Sequence, residues 1–186
     1  TCYGKNTDDK IYNIAKKMYQ HGLEKGITLS RQSNEKEVLR NIKRGNIKMS
    51  TYINLQKKFN ESSIPVYSEL ILGLPGETYE SWKRGIEDLL QAGLKNQLFV
   101  YLCQVFPNTE LADKEYREKY GIITQRAESN EIHGSFRGPD ETTEYEDVII
   151  TTNSMSLKDW KRMVVLSVTT MVIHSLKLGF FLMMYL

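Results

Sequence analysis

Three short apolar runs, 26–30, 66–72 and 98–105, alternate with stretches whose apolar residues recur at helical spacing; nothing else in the chain constrains the fold as much. Ahead of the first run, the stretch from Thr7 to Gly22 sets Ile11, Ile14, Ala15, Met18 and Tyr19 on one face, with Thr7 or Asp8 as cap and Gly22 as stop. After it, Ser33 and Asn34 are placed to cap a helix that carries Val38, Leu39 and Ile42 and ends near Gly45. A further helix opens at Ser50, turns Ile53, Leu55 and Phe59 inward, and stops before Pro65, whose ring disfavours helical geometry at Ile64. The second run leads through Gly-Leu-Pro-Gly-Glu-Thr into a helix marked by Trp82, Ile86, Leu89 and Leu90 and closed by Gly93. Strands apolar on both faces, alternating with amphipathic helices, predict a parallel sheet of right-handed βαβ units and hence an α/β fold.

Reactive groups in such folds gather at the C-terminal ends of the strands, which directs attention to 30–33, 73–78 and 103–109. The turn from Gly73 to Thr78 places two glycines and a proline between a buried strand and a helix, so its backbone can approach a ligand closely or serve as a rigid connection. Ser30-Arg31-Gln32-Ser33 would lie beside it, with hydroxyl and amide groups suited to sugar hydroxyls; Ser33 alone reads as a helix cap. Cys103 at a strand end is a reactive thiol or a buried structural cysteine. His133 is a surface-loop histidine or a proton-transfer residue of a segment closing over the strand ends.

At 186 residues the chain is short for a complete eight-stranded barrel of about 250 residues. It divides into 1–121, the alternating part; 122–155, a polar loop or small subdomain containing the acidic run 140–147; and 156–186, an apolar helical extension with Trp160, Met163, Val164, Val168 and Met171 at helical spacing. His174 and Lys177 interrupt that extension, so it reads as a buried helix and no membrane span is expected. A formal charge of +2 gives no sign of a nucleic-acid partner. Two cysteines about a hundred positions apart offer neither a disulfide framework nor a metal motif, and a reducing cytoplasm is the expected location. The Thr-Cys-Tyr-Gly start reads as a cut through a longer chain.

The ordered series Ile27-Thr-Leu-Ser-Arg-Gln-Ser33, Val38-Leu-Arg-Asn-Ile-Lys-Arg-Gly45, Glu69-Leu-Ile-Leu-Gly-Leu-Pro-Gly-Glu-Thr78 with Glu80-Ser-Trp82, and Val105-Phe-Pro-Asn-Thr-Glu-Leu111 resembles the later strands of radical S-adenosylmethionine (radical SAM) enzymes, in particular their cobalamin-binding branch of oxidative cyclases and methyltransferases. The resemblance covers about residues 7–121 and implies a partial, truncated parallel (β/α) barrel of the TIM-like type with a mainly helical C-terminal extension. It implies that Ser30, Gln32 and Ser33 lie near the ribose of S-adenosylmethionine and that Arg44 approaches its carboxylate, a task suited to a guanidinium. Ile71 and the turn Gly73, Gly76, Glu77 would meet the adenine, and Glu69 would face either into the barrel or onto the sheet. Without the resemblance Arg44 reads as a solvated residue of a basic run.

The chain departs from the family in lacking its three closely spaced cysteines, which hold a 4Fe-4S cluster; in the family these lie upstream. The resemblance thus implies a fragment, inactive alone, of an oxidoreductase that cleaves S-adenosylmethionine reductively to an adenosyl radical or transfers methyl groups. Its expected partners are a small-molecule substrate and an electron donor such as flavodoxin or ferredoxin, with cluster ligands, and any cobalamin domain, outside this chain. The alternative is a non-catalytic α/β nucleoside-binding or scaffold module without a cluster.

Overall fold

The computed structural model of the protein describes residues 2–3, 9–129 and 143–179. The alternation forms one parallel sheet whose strands β1 (Cys2–Tyr3), β2 (Ile27–Gln32), β3 (Val66–Leu72) and β4 (Leu98–Leu102) are neighbours in chain order. Helices α1 (Asp9–Gln20), α2 (Lys36–Asn41), α3 (Met49–Glu61) and α4 (Tyr79–Gln91) connect them. Among the described residues the sheet is open, a partial α/β arrangement rather than a closed barrel. The caps expected at Thr7 and Asp8 fall outside the described residues.

β3 explains how the core is made. Val66, Ser68, Leu70 and Leu72 are buried on the helix side, in a cluster with Tyr52, Leu55 and Phe59 of α3 and Trp82, Ile86 and Leu89 of α4. Each large apolar side chain so placed contributes roughly 1.5–3 kcal/mol. The one polar member, Ser68, shares a hydrogen bond with Tyr52 Oη and donates to the Leu29 carbonyl at 3.3 Å, so its burial leaves no bond unmade. Thr78 then starts α4 in a capping box, its hydroxyl accepting from the Ser81 amide at 3.1 Å while Ser81 Oγ accepts from the Thr78 amide at 2.9 Å.

Four expectations change. The first strand runs on through Gln32, so Ser30 and Gln32 are strand-end rather than loop residues. Ser33 does not cap α2; the residue before that helix is Glu35, and Ser33 Oγ instead accepts from the Glu35 amide at 3.1 Å. The third apolar run stops at Leu102, with Phe99 37% and Tyr101 42% exposed, because β4 is the edge of the parallel sheet and its apolar residues are not covered on both faces. The C-terminal helix α6 (Leu157–Thr170) buries only one stripe, Met163, Ser167 and Thr170, packed on α4, and leaves Val165 65% exposed.

The stretch 122–155 contains two antiparallel strands, β5 (Ile123–Glu128) and β6 (Tyr145–Thr151), preceded by a charged helix α5 (Lys114–Tyr120). β6 is sewn to the chain leaving β4: the Ile149 amide donates to the Cys103 carbonyl at 2.9 Å and the Val105 amide to the Asp147 carbonyl at 2.8 Å. The hairpin therefore prolongs the C-terminal edge of the sheet. After α6 a single π-helical turn, Met171–Ser175, returns to β4, where Ser175 Oγ accepts from the Leu98 amide at 3.0 Å. No described helix is long and apolar enough to cross a membrane.

Candidate functional site

The C-terminal ends of β2, β3 and β4 open into a cavity of about 1020 Å³. Its lining includes Ser30 and Gln32 from β2, Glu69 and Ile71 from β3, and Arg44 from the loop after α2. Five of the nine expected residues thus meet in one space. In-register pairing sets Ser30 beside Glu69, and Ser30 Oγ donates to Glu69 Oε2. Glu69 consequently faces the open side of the sheet with a hydroxyl partner and needs no buried cation.

Gln32 reaches the cavity through a bulge. The register with β3 slips between Ser30 and Gln32, and Gln32 takes a left-handed backbone with φ 64°. Arg31 points the other way, 5% exposed, with its guanidinium donating to the Ile47 carbonyl at 3.0 Å and lying over the Tyr52 ring at 5.3 Å. Anchoring Arg31 in the interior holds the bulge in place. Residues in sparsely populated backbone regions persist only where their surroundings fix them.

The remaining four lie behind the cavity wall. Glu77, 1% exposed, accepts from Ser33 Oγ at 2.6 Å and also from Ser81 Oγ, which ties the serine corner to the glycine corner and the start of α4. Burial pushes its carboxyl up from the ordinary value, while the two serine hydroxyls pull the other way. The two glycines admit protein neighbours: at Gly76, φ 96°, a Cβ would stand 2.6 Å from Asn41 Nδ2, and at Gly73, φ 107°, it would meet the Ile149 carbonyl at 3.2 Å. The Gly76 amide donates to Ser154 Oγ at 3.1 Å. The two corners adjoin, as the sequence implied, and the close approach glycine permits there is taken up by the fold itself.

The chain from Gln104 to Tyr116 arches across the strand ends and supplies Phe106, Thr109, Glu110, Leu111 and Tyr116 to the cavity. Its far end is fastened to α2 and the loop after it: Tyr116 Oη donates to the Asn41 carbonyl at 2.8 Å, and Lys43 pairs with Glu110. Sequence reasoning did not find this arch beyond placing 103–109 on the rim, because its contacts to α2 join residues some 75 positions apart. Nor did it single out Gln104 and Glu146, which bond to each other on the hairpin side; the only signal was that Gln104 is a polar residue within the apolar run 98–105 and on the rim segment 103–109. Cys103 lines the cavity at 4% exposure with its thiol pushed up to about 12 by burial, which makes it a structural thiol rather than a nucleophile. His133 lies outside the described residues. Among those described, no group of three or more His, Cys, Asp or Glu is arranged to hold a metal ion.

No family model matches the chain. It is 37% identical over 159 residues to the cobalamin-dependent radical SAM methyltransferase TokK of Streptomyces tokunonensis, covering 85% of this chain and 23% of that protein. It is 35% identical over 159 residues, with the same coverage, to the 2-(S-pantetheinyl)-carbapenam-3-carboxylate methyltransferase of Streptantibioticus cattleyicolor. The chain thus spans about a quarter of the length of these relatives. Its fold is like that of the radical S-adenosylmethionine methyltransferase TsrM from Kitasatospora setae, with a TM-score of 0.60 over 90% of this chain and 35% of that one at 15% identity. A similar likeness extends to the archaeal Elp3 of Methanocaldococcus infernus, TM-score 0.50 over 62% of this chain and 26% of that one at 23% identity. Relatives alike over most of its residues, joined to an ordered parallel sheet of the same kind, place the chain in the radical SAM superfamily, on the branch that its cobalamin-dependent relative represents.

Proposed function

We propose that the cavity at the strand ends binds S-adenosylmethionine and that the protein containing this chain transfers a methyl group to a small-molecule acceptor. The observation that carries this reading is the convergence of Ser30, Gln32, Arg44, Glu69 and Ile71 on one cavity, in a chain 35–37% identical over 159 residues to two methyltransferases. The hydroxyl of Ser30 and the amide of Gln32 suit ribose hydroxyls, and Ile71 with Leu74 offers an apolar wall for the adenine. Arg44 is exposed on the rim, where its planar fork can take a carboxylate through two parallel bonds. Glu77 and Ser33, bonded behind the wall, hold the corner that carries Gln32.

In this superfamily a 4Fe-4S cluster delivers one electron to S-adenosylmethionine. The described residues do not suit such a cluster, so its ligands, like a site for cobalamin and for an electron donor such as flavodoxin or ferredoxin, are assigned to the rest of the protein. What the described residues do is bind, orient and enclose.

The test is equilibrium binding of S-adenosylhomocysteine to the full-length protein by calorimetry. Arg44→Ala should weaken binding about tenfold, the loss of one charge-assisted bidentate pair, without lowering the melting temperature. A folded wild-type protein that does not bind S-adenosylhomocysteine, or an Arg44→Ala variant that binds it equally well, would overturn the assignment. Transfer of a labelled methyl group to an acceptor, after anaerobic reconstitution, tests the reaction itself.

A further inference from the structure

We infer that the Gln104–Glu146 pair is a specificity element for the methyl acceptor, taking hydrogen-bond donors such as amide N–H or hydroxyl groups and disfavouring anionic ones. This rests on the methyltransferase reading above and adds to it two residues that line the cavity but have no part in the adenosyl assignment.

The strand order gives the cavity two ends. Arg44 follows α2 and stands on the β2 side, whereas Gln104 leaves β4 and Glu146 lies on β6, on the opposite side of the sheet. Gln104 is paired through its backbone with Val148, which fixes its amide beside β6, and there its Nε2 donates to Glu146 Oε2. That bond uses one of the two N–H donors of Gln104, and the carboxylate leaves the pair with more acceptor positions than donors. Gln104 Oε1 and the second carboxylate oxygen of Glu146 remain as acceptors, with a negative charge at the wall. Such a surface favours a ligand group that brings its own protons and repels a carboxylate or phosphate, while the guanidinium at the other end favours an anion. Two further carboxylates line the cavity, Glu110 paired with Lys43 and Glu69 accepting from Ser30 Oγ. On the Glu146 side, where no cation among the described residues lines the wall, an acceptor is selected for N–H or O–H groups. The apolar neighbours Tyr101, Leu102 and Phe106, 42%, 39% and 61% exposed, give the non-polar part of such a molecule a surface to lie on.

The probe is pantetheine, a neutral arm with two amides and hydroxyls whose pantetheinyl form is named in the substrate of one relative. Its affinity and that of S-adenosylhomocysteine would be measured separately on the full-length protein and on Glu146→Gln, which keeps the size of the side chain and a carbonyl acceptor for Gln104. The expected result is about tenfold weaker pantetheine binding, the difference between a charged and a neutral acceptor, with S-adenosylhomocysteine affinity unchanged. Gln104→Leu, which removes the Oε1 acceptor, should also weaken pantetheine. Unchanged pantetheine affinity in both variants would overturn the inference and leave the pair as a brace between strand end and hairpin; so would a wild type that binds S-adenosylhomocysteine but not pantetheine. A wild type that binds pantetheine through Glu146 but not S-adenosylhomocysteine would instead overturn the adenosyl assignment and keep this one.

Discussion

The two faces of the parallel sheet are built on opposite plans. On the helix side of β3, Val66, Ser68, Leu70 and Leu72 are at most 1% exposed and locked among the helices. On the other side Tyr67, Glu69 and Ile71 alternate with them, only half-buried, beside the exposed rings of Phe99 and Tyr101. Because strand side chains alternate with a period of two, consecutive residues carry different duties: one holds the protein together, the next meets what enters the cavity. Substitutions at neighbouring positions should separate stability from binding.

The largest effect is expected from Leu70→Ala, which should cost about 2–5 kcal/mol in chemical denaturation, while Ile71→Ala one residue on should cost clearly less and weaken S-adenosylhomocysteine instead. Equal losses of stability at both positions would break the comparison.

A smaller effect concerns two buried titratable groups, His174 beside the edge strand and Glu77 at the turn into α4, with opposite signs. Burial lowers the imidazole of His174 below its ordinary 6.5, an effect reinforced by Lys177 and opposed by bonds to the backbone of Asn96 and Leu94. Its contribution to stability is present above about 6.5 and is lost as the pH falls below it. Burial raises the carboxyl of Glu77, so its contribution is full below the ordinary 4.5 and declines as the pH rises through the elevated value. Melting temperatures taken from pH 8 to pH 4 should show His174→Gln flattening the descent below 6.5 and Glu77→Gln removing the opposing trend; identical profiles for all three proteins would refute both assignments. Lys43→Ala should do least, leaving the melting temperature where it was, since its pair with Glu110 is 70% and 58% exposed and solvent screens it.

How far the sequence could be read follows the same division. β3 and α4 were legible nearly to the residue because Pro65 ends one element, the glycines at 73 and 76 end the next and Thr78 caps the third. The hairpin was not, since Ile123-Thr-Gln-Arg-Ala-Glu has polar residues on both faces and no fully buried position, so no alternation marks it as a strand. α5 hid for a related reason: Lys-Glu-Tyr-Arg-Glu-Lys-Tyr has a cap at Asp113 and a stop at Gly121, yet no apolar stripe. At the site, positions on strand ends could be anticipated from the fold rule, whereas what the glycine turn touches depended on Asn41, Ile149 and Ser154, which no local pattern links to it.

The arch from Gln104 to Tyr116 is moored at both ends, by backbone bonds to β6 on one side and by a tyrosine hydroxyl on α2 at the other. Between them the tie is the exposed Lys43–Glu110 pair, so the middle of the span can be lengthened, shortened or re-lettered without shifting the strands beneath it. Around Phe106 to Leu111 such changes would resize the chamber while the strand ends that form its floor stay in place.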